Sequence, residues 1–160
     1  MSHLFLSAGD PSGDHHAARL LTHLHDLSPD LTVEGLGGPA MQAAGCELHE
    51  DLASQSIVGF GAAFRALPAM LGLLRRVGGI LDNRRPDAVV LVDYPGFNLL
   101  LASMARSRGI PVVYYVAPQF WAWATWRLRR FARLVDEALV ILPFEKPLFQ
   151  DMGVKTHYIG

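Results

Sequence analysis

The sequence predicts an α/β domain built on a parallel, Rossmann-like sheet flanked by helices. Three observations predict it. Residues 89–92 (VVLV) are apolar without interruption, as in strands buried on both faces. Short runs of this kind alternate with segments of helical period along all 160 residues, the pattern of βαβ units. Finally, three polar or aromatic turns, at residues 9–14, 93–98 and 118–123, each follow a predicted strand.

Taken in order, residues 3–7 (HLFLS) form the first strand and run into the turn AGDPSGD. Helical spacing then extends from Asp14 to Leu27, with Ala17, Leu20, Leu21 and Leu24 on one stripe. Ser12 is the expected N-cap, and Asp14 complements the dipole of the first turn. Residues 32–36 form a second strand, Gly37-Gly38-Pro39 turns it into a brief helix ending at Gly45, and residues 46–49 form a third strand. A long helical region covers residues 59–83, with breaks expected at Pro68 and at Gly78-Gly79. Its apolar stripe is Phe60, Phe64, Leu67, Leu71, Leu74, Val77 and Leu81, accompanied by Arg65, Arg75, Arg76, Arg84 and Arg85.

Residues 86–92 are the central strand, and residues 96–108 the helix after it, stopped by Gly109 and Pro111. Residues 112–116 make the next strand, followed by the aromatic loop APQFWAW. A helix over 125–134 carries Arg127, Arg129, Arg130 and Arg133. A strand at 137–142, a helix from Pro143 to Gly153 and a strand at 155–159 complete the pattern.

The bulk properties narrow the function. A formal net charge of −1 gives no general attraction to nucleic acid. The chain is 51% hydrophobic, yet no stretch reaches the ~18 uninterrupted apolar residues of a membrane span. Its start, MSHLFLSAGD, lacks the basic and long apolar regions of a signal peptide. The single Cys46 excludes an internal disulfide and reads as a small core residue or a thiol nucleophile. The seven histidines read as surface residues; neither a metal site nor a cofactor is expected. The arginine-flanked apolar stretch, residues 57–81, fits either a core-facing helix or a segment resting on anionic lipid.

Asp93 is the principal chemical candidate. Read alone, it either caps the following helix or presents a carboxylate to a ligand. In open α/β sheets ligands bind beyond the carboxyl ends of the strands. The turns at 9–14, 93–98 and 118–123 would share that rim, and their convergence favours the ligand-facing role. The first turn is neither GxGxxG nor a Walker loop, although its N–H groups are of the kind that face anions.

Five motifs in order carry a specific resemblance: AGDPSGD (8–14), GLGGPAM (35–41), VDYPGFN (92–98), YYVAPQFWAW (114–123) and ILPFEK (141–146). This order and spacing resemble the amino-terminal half of lipid-A-disaccharide synthase. The resemblance implies the amino-terminal domain of a GT-B glycosyltransferase. Residues 1–160 are then the acceptor-side Rossmann-like domain, with the carboxy-terminal donor-binding domain absent. It implies transfer from UDP-2,3-diacylglucosamine to 2,3-diacylglucosamine 1-phosphate, giving lipid A disaccharide phosphate and UDP. The implied location is cytoplasmic, peripheral on the inner membrane, with the membrane surface as a partner and no nucleic acid.

Carried onto this sequence, the family's base falls on Asp93. Asp10, Ser12, Gly13, Asn98, Gln119, Trp121 and Trp123 become the expected substrate-binding residues. A carboxylate within reach of a sugar hydroxyl can act as its general base, and indole offers an apolar face with one donor. Three positions depart from the family pattern: Asp10 and Ala62 stand where glutamate is usual, and Gly96 follows Pro95 where the family often has a second aspartate, which leaves Asp93 as the one carboxylate of that turn. With half of the cleft absent, the 160-residue chain alone is expected to lack substantial transferase activity. The competing readings are a non-catalytic, membrane-associated lipid-binding fragment and half of another GT-B sugar-nucleotide enzyme.

Overall fold

The computed structural model describes residues 2–55, 63–123 and 125–160. Among the described residues the elements follow in the order β1 (His3–Ala8), α1 (Pro11–Leu27), β2 (Thr32–Gly37), α2 (Pro39–Ala43), β3 (Glu47–Asp51), α3 (Leu52–Gln55), α4 (Ala63–Arg84), β4 (Ala88–Val92), α5 (Pro95–Ser107), β5 (Val112–Tyr115), α6 (Phe120–Trp123), α7 (Thr125–Leu134), β6 (Glu137–Val140), α8 (Glu145–Asp151) and β7 (Lys155–Tyr158). The strands form one sheet in the order β3-β2-β1-β4-β5-β6-β7, and every neighbouring pair is parallel.

Strand alternation sorts the side chains into two layers. In β4, Val89 and Leu91 join one core, while Val90 and Val92 join the other. The first core packs Leu73, Leu74, Val77 and Leu81 of α4, Leu101 and Ala105 of α5, Phe131 of α7 and Phe149 of α8 against the sheet. The second packs Ala17 and Leu21 of α1 and Met41 of α2. Burying each large aliphatic or aromatic side chain contributes about 1.5–3 kcal/mol, so the continuous Val/Leu run of β4 is stabilised from both sides.

The order of the strands reverses between β1 and β4. The connection through α1 leaves toward β2, and that through α5 leaves toward β5, on opposite faces. Leu4 pairs with Ala88 and Ala8 with Val92, so the two strands end level and Gly9 lies beside Asp93. A crevice opens at this switch point.

Several local expectations change. α4 runs unbroken from Ala63 to Arg84, through Pro68 and both glycines. Pro68 stands on the exposed side in the second turn of the helix, so its ring does not disturb the buried stripe. Gly78 serves close packing: a Cβ there would meet Arg108 Nη2 at 3.2 Å and Met104 Sδ at 3.4 Å. Arg108 in turn forks onto Asp82 of α4, at 2.8 and 3.0 Å, tying α4 to the end of α5. The part of the expected helix at residues 59–62, including Phe60 and Ala62, lies outside the described residues. The short α3 was not foreseen, and the aromatic loop contains a helical turn, α6.

The cap of α1 also differs. Asp10, not Ser12, is the N-cap; its Oδ1 accepts from the Gly13 amide at 2.7 Å. Aspartate is among the preferred N-cap residues because its short side chain reaches the amide three residues on. Asp14, instead of serving its own helix, accepts from Gly38 N at 2.9 Å, Met41 N at 3.0 Å and Ala40 N at 3.0 Å, and so caps α2. Elsewhere Glu34, buried in β2, is bracketed by His3 Nε2 at 2.9 Å and His49 Nε2 at 2.7 Å, so these two histidines are not simple surface residues.

Candidate active site

A cleft of about 490 Å3 lies over the carboxyl ends of β1, β4, β5 and β6. Ser12, Gly13 and His16 of α1 form one wall; Asp93 and Pro95 stand beside them; Val116 to Gln119 and Ile141 close the other side. The three turns singled out in the sequence therefore do meet.

The β4–α5 turn is held in an uncommon conformation. Asp93 and Tyr94 have φ of 44° and 45°, in the left-handed region, and Val116 across the cleft has φ 58°. Such conformations cost about 1–3 kcal/mol each and persist where surroundings over-determine them. Here the surroundings are explicit. The Asp93 carbonyl accepts from Asn98 Nδ2 at 2.8 Å and from the Tyr114 hydroxyl at 2.6 Å. Asn98 Nδ2 also donates to Val92 O at 3.2 Å, and Asn98 Oδ1 accepts from Ser7 Oγ at 2.7 Å. Asn98 and Ser7 are both fully buried. One amide thus joins the ends of β1 and β4 and fixes the backbone that carries Asp93. Close approach on the β1 side requires Gly9, where a Cβ would fall 2.0 Å from the Tyr94 ring.

The Asp93 carboxyl is half-buried, and its pKa is raised above the ordinary 3.8. Burial is the first cause and the Asp10 charge the second; the Tyr94 backbone N–H and His16 oppose them. Tyr114, buried against the sheet and near the Asp93 charge, is pushed well above its usual pKa and stays a neutral donor.

The expected site residues separate into groups. Ser12, Gly13, Asp93 and Gln119 line the cleft. Asp10 caps α1 near enough for its charge to act on Asp93. Asn98 lies beneath the turn, with its amide engaged by protein groups. Trp121 sits at the rim, half-buried, with Nε1 donating to Glu145 Oε1 at 3.0 Å and its ring edge-on to Phe144 at 4.7 Å. The side chain of Trp123 lies outside the described residues. Sequence reasoning missed His16. Its position one helical turn after Ser12 was the available signal.

Comparison with known proteins identifies the family. A family model described as lipid-A-disaccharide synthetase matches residues 4–160. The chain belongs to the lipid-A-disaccharide synthetase family. The lipid-A-disaccharide synthase of Anaeromyxobacter dehalogenans (strain 2CP-C) is 43% identical over 157 residues, covering 98% of this chain and 41% of the relative. That of Myxococcus xanthus (strain DK1622) is 41% identical with the same coverage. The chain therefore spans about two fifths of these relatives' length.

Among solved structures, MurG of Acinetobacter baumannii superposes with a TM-score of 0.56 at 19% identity, over 90% of this chain and 42% of that one. The UDP-GlcNAc 2-epimerase of Neisseria meningitidis bound to UDP-GlcNAc gives 0.69 at 12% identity, over 100% and 46%. At these identities the likeness is one of fold: a Rossmann-like parallel sheet flanked by helices, as in GT-B glycosyltransferases such as MurG. No helix among the described residues is long and apolar enough to cross a membrane.

Proposed function

We propose that this chain is the acceptor side of a lipid-A-disaccharide synthase. The reaction joins UDP-2,3-diacylglucosamine to 2,3-diacylglucosamine 1-phosphate and gives a β-1,6-linked disaccharide phosphate and UDP. Asp93 takes the proton of the acceptor 6-hydroxyl as that oxygen attacks the anomeric carbon, and UDP leaves with the bonding electron pair. The observation that carries this reading is Asp93 itself. Its carboxyl stands in the cleft on a braced left-handed turn, with a proton affinity raised by burial and by Asp10. A raised pKa makes a carboxylate a stronger general base.

Ser12, Gly13 and Gln119 contact the sugar or phosphate from the cleft wall, with Asp10 at the helix start beside them. Trp121 offers apolar surface at the mouth, Trp123 is assigned to the substrate by its place in the same motif, and Asn98 acts on the substrate through the Asp93 backbone. A carboxy-terminal domain supplies the UDP-sugar site, in keeping with a chain that covers 41% of its relatives. The acylated substrates put the work at the cytoplasmic face of the inner membrane. Helices here run antiparallel to the strands, so helix starts share the rim with strand ends. Exposed Leu67, Trp126, Ile141, Phe144 and Ile159 all lie toward that rim and support contact with an apolar surface.

The test is turnover by residues 1–160 joined to a carboxy-terminal domain of the family. Asp93→Asn is expected to lower kcat about 100-fold or more with KM little changed. Full turnover by Asp93→Asn would overturn the base assignment. UDP release from residues 1–160 alone, at the rate of the joined protein, would overturn the two-domain reading.

A further inference from the structure

Glu145 is fully buried at the start of α8, and the cleft mechanism does not use it. Burying a carboxyl is unfavourable unless its oxygens are satisfied. Both are satisfied here by neutral N–H groups: Oε1 accepts from the Trp121 indole at 3.0 Å, and Oε2 accepts from the Leu142 amide at 3.1 Å. The second bond is local, the reach of a glutamate at a helix start back to the amide three residues before it. The first reaches 24 residues back and joins α6 to the start of α8.

The consequence lies at the surface. With Nε1 held inward, the Trp121 ring stands edge-on to Phe144 at an interplanar angle of 84°, and Phe144 is exposed. Ile141, three residues before Phe144, is exposed and lines the cleft. Apolar surface therefore continues from the cleft wall onto the rim.

We infer that Glu145 is a positioning residue: by holding the Trp121 indole and the Leu142 amide together, it presents Trp121 and Phe144 as one apolar ledge that takes an acyl chain of the substrate. The ligand half of this inference rests on the acyl-sugar reading above; the positioning half does not.

Two measurements separate them. The first follows indole emission and acrylamide quenching with Trp123 and Trp126 replaced by Phe, leaving Trp121 as the sole emitter. Glu145→Ala should shift the emission to the red and raise quenching. Glu145→Gln should do so less, because its single acceptor oxygen serves only one of the two donors. Thermal melts confirm that each variant is folded, and Glu145→Gln carries the test where Glu145→Ala does not fold. Unchanged emission and quenching in a folded variant would overturn the positioning role.

The second measurement is calorimetric binding of octyl β-D-glucoside, below its micelle-forming concentration, to the chain with all its tryptophans. Glu145→Ala is expected to weaken binding roughly fivefold to tenfold, the scale of one well-packed aromatic contact. Trp121→Leu should give the same loss, and the double variant no more than either single one. Additive losses would place Glu145 outside the ledge and overturn the inference. Mobilised Trp121 without any glucoside binding to the parent chain would overturn the acyl-chain half and count against the acyl-sugar reading.

Discussion

Replacing Asn98 by alanine should destabilise the protein far more than a helix-start asparagine would suggest. The side chain is fully buried and makes two short bonds, to Ser7 Oγ at 2.7 Å and Asp93 O at 2.8 Å, with longer ones to Val92 O at 3.2 Å and Ser7 O at 3.4 Å. Each net bond contributes about 1 kcal/mol, and a buried Ser7 hydroxyl left without its partner adds about 1–2 kcal/mol. Counting only the two short bonds, the total is about 3–4 kcal/mol, equivalent to a fall in Tm of roughly 6–16 °C for a chain of this size. Ser7→Ala removes one of the same bonds and should cost about 1 kcal/mol. Because the two residues share that bond, the double variant should be less destabilised than the sum, by at least about 0.5 kcal/mol. Urea unfolding of the four proteins, with a common m-value, measures all of this. A loss below about 1 kcal/mol for Asn98→Ala, or strict additivity with Ser7→Ala, would refute the brace.

Three further outcomes are expected. Because Asp93 has a raised folded-state pKa, its ionisation costs stability: the favourable contribution is complete below 3.8 and is lost as pH rises through the folded value. Asp93→Asn should therefore raise Tm at pH 7 and lose that advantage on acidification; an advantage that grows toward acid pH would contradict the assignment. Gly9→Ala puts a methyl 2.0 Å from the Tyr94 ring and should cost about 1–3 kcal/mol in denaturant unfolding, largely recovered when Tyr94 is also made alanine. Burial, followed by the charges of Glu34, Asp14 and Glu47, pushes the Cys46 thiol up to about 12, so a disulfide reagent at pH 8 should modify it only as the protein unfolds.

Much of the fold was legible because each element advertised itself locally. The Val/Leu run of β4 declares a doubly buried strand, and Pro95-Gly96 marks the turn after it, so Asp93 could be placed on a rim from ten residues. Bonds between distant residues were not legible in the same way. Asp14 caps a helix 24 to 27 residues ahead, and Asn98 meets a serine 91 residues back. Those pairings depend on sheet order and register, which no local window contains. Pro68 and Gly78 misled for the opposite reason: their local cost is real, but the buried stripe of Leu73, Leu74, Val77 and Leu81 and the fork of Arg108 on Asp82 outweigh it.

The reversal of strand order between β1 and β4 has a consequence for how such a site changes over time. The crevice exists because two connections depart to opposite faces, whatever side chains happen to line it. Its lining can turn over almost completely while the vacancy itself persists as a property of the backbone. Solved structures only 12 to 19% identical to this chain share its fold, and in open α/β sheets such a switch point is where ligands bind. In this chain the shared architecture supplies the opening, and a small set of residues, Asp93 on its braced turn first among them, supplies the individuality.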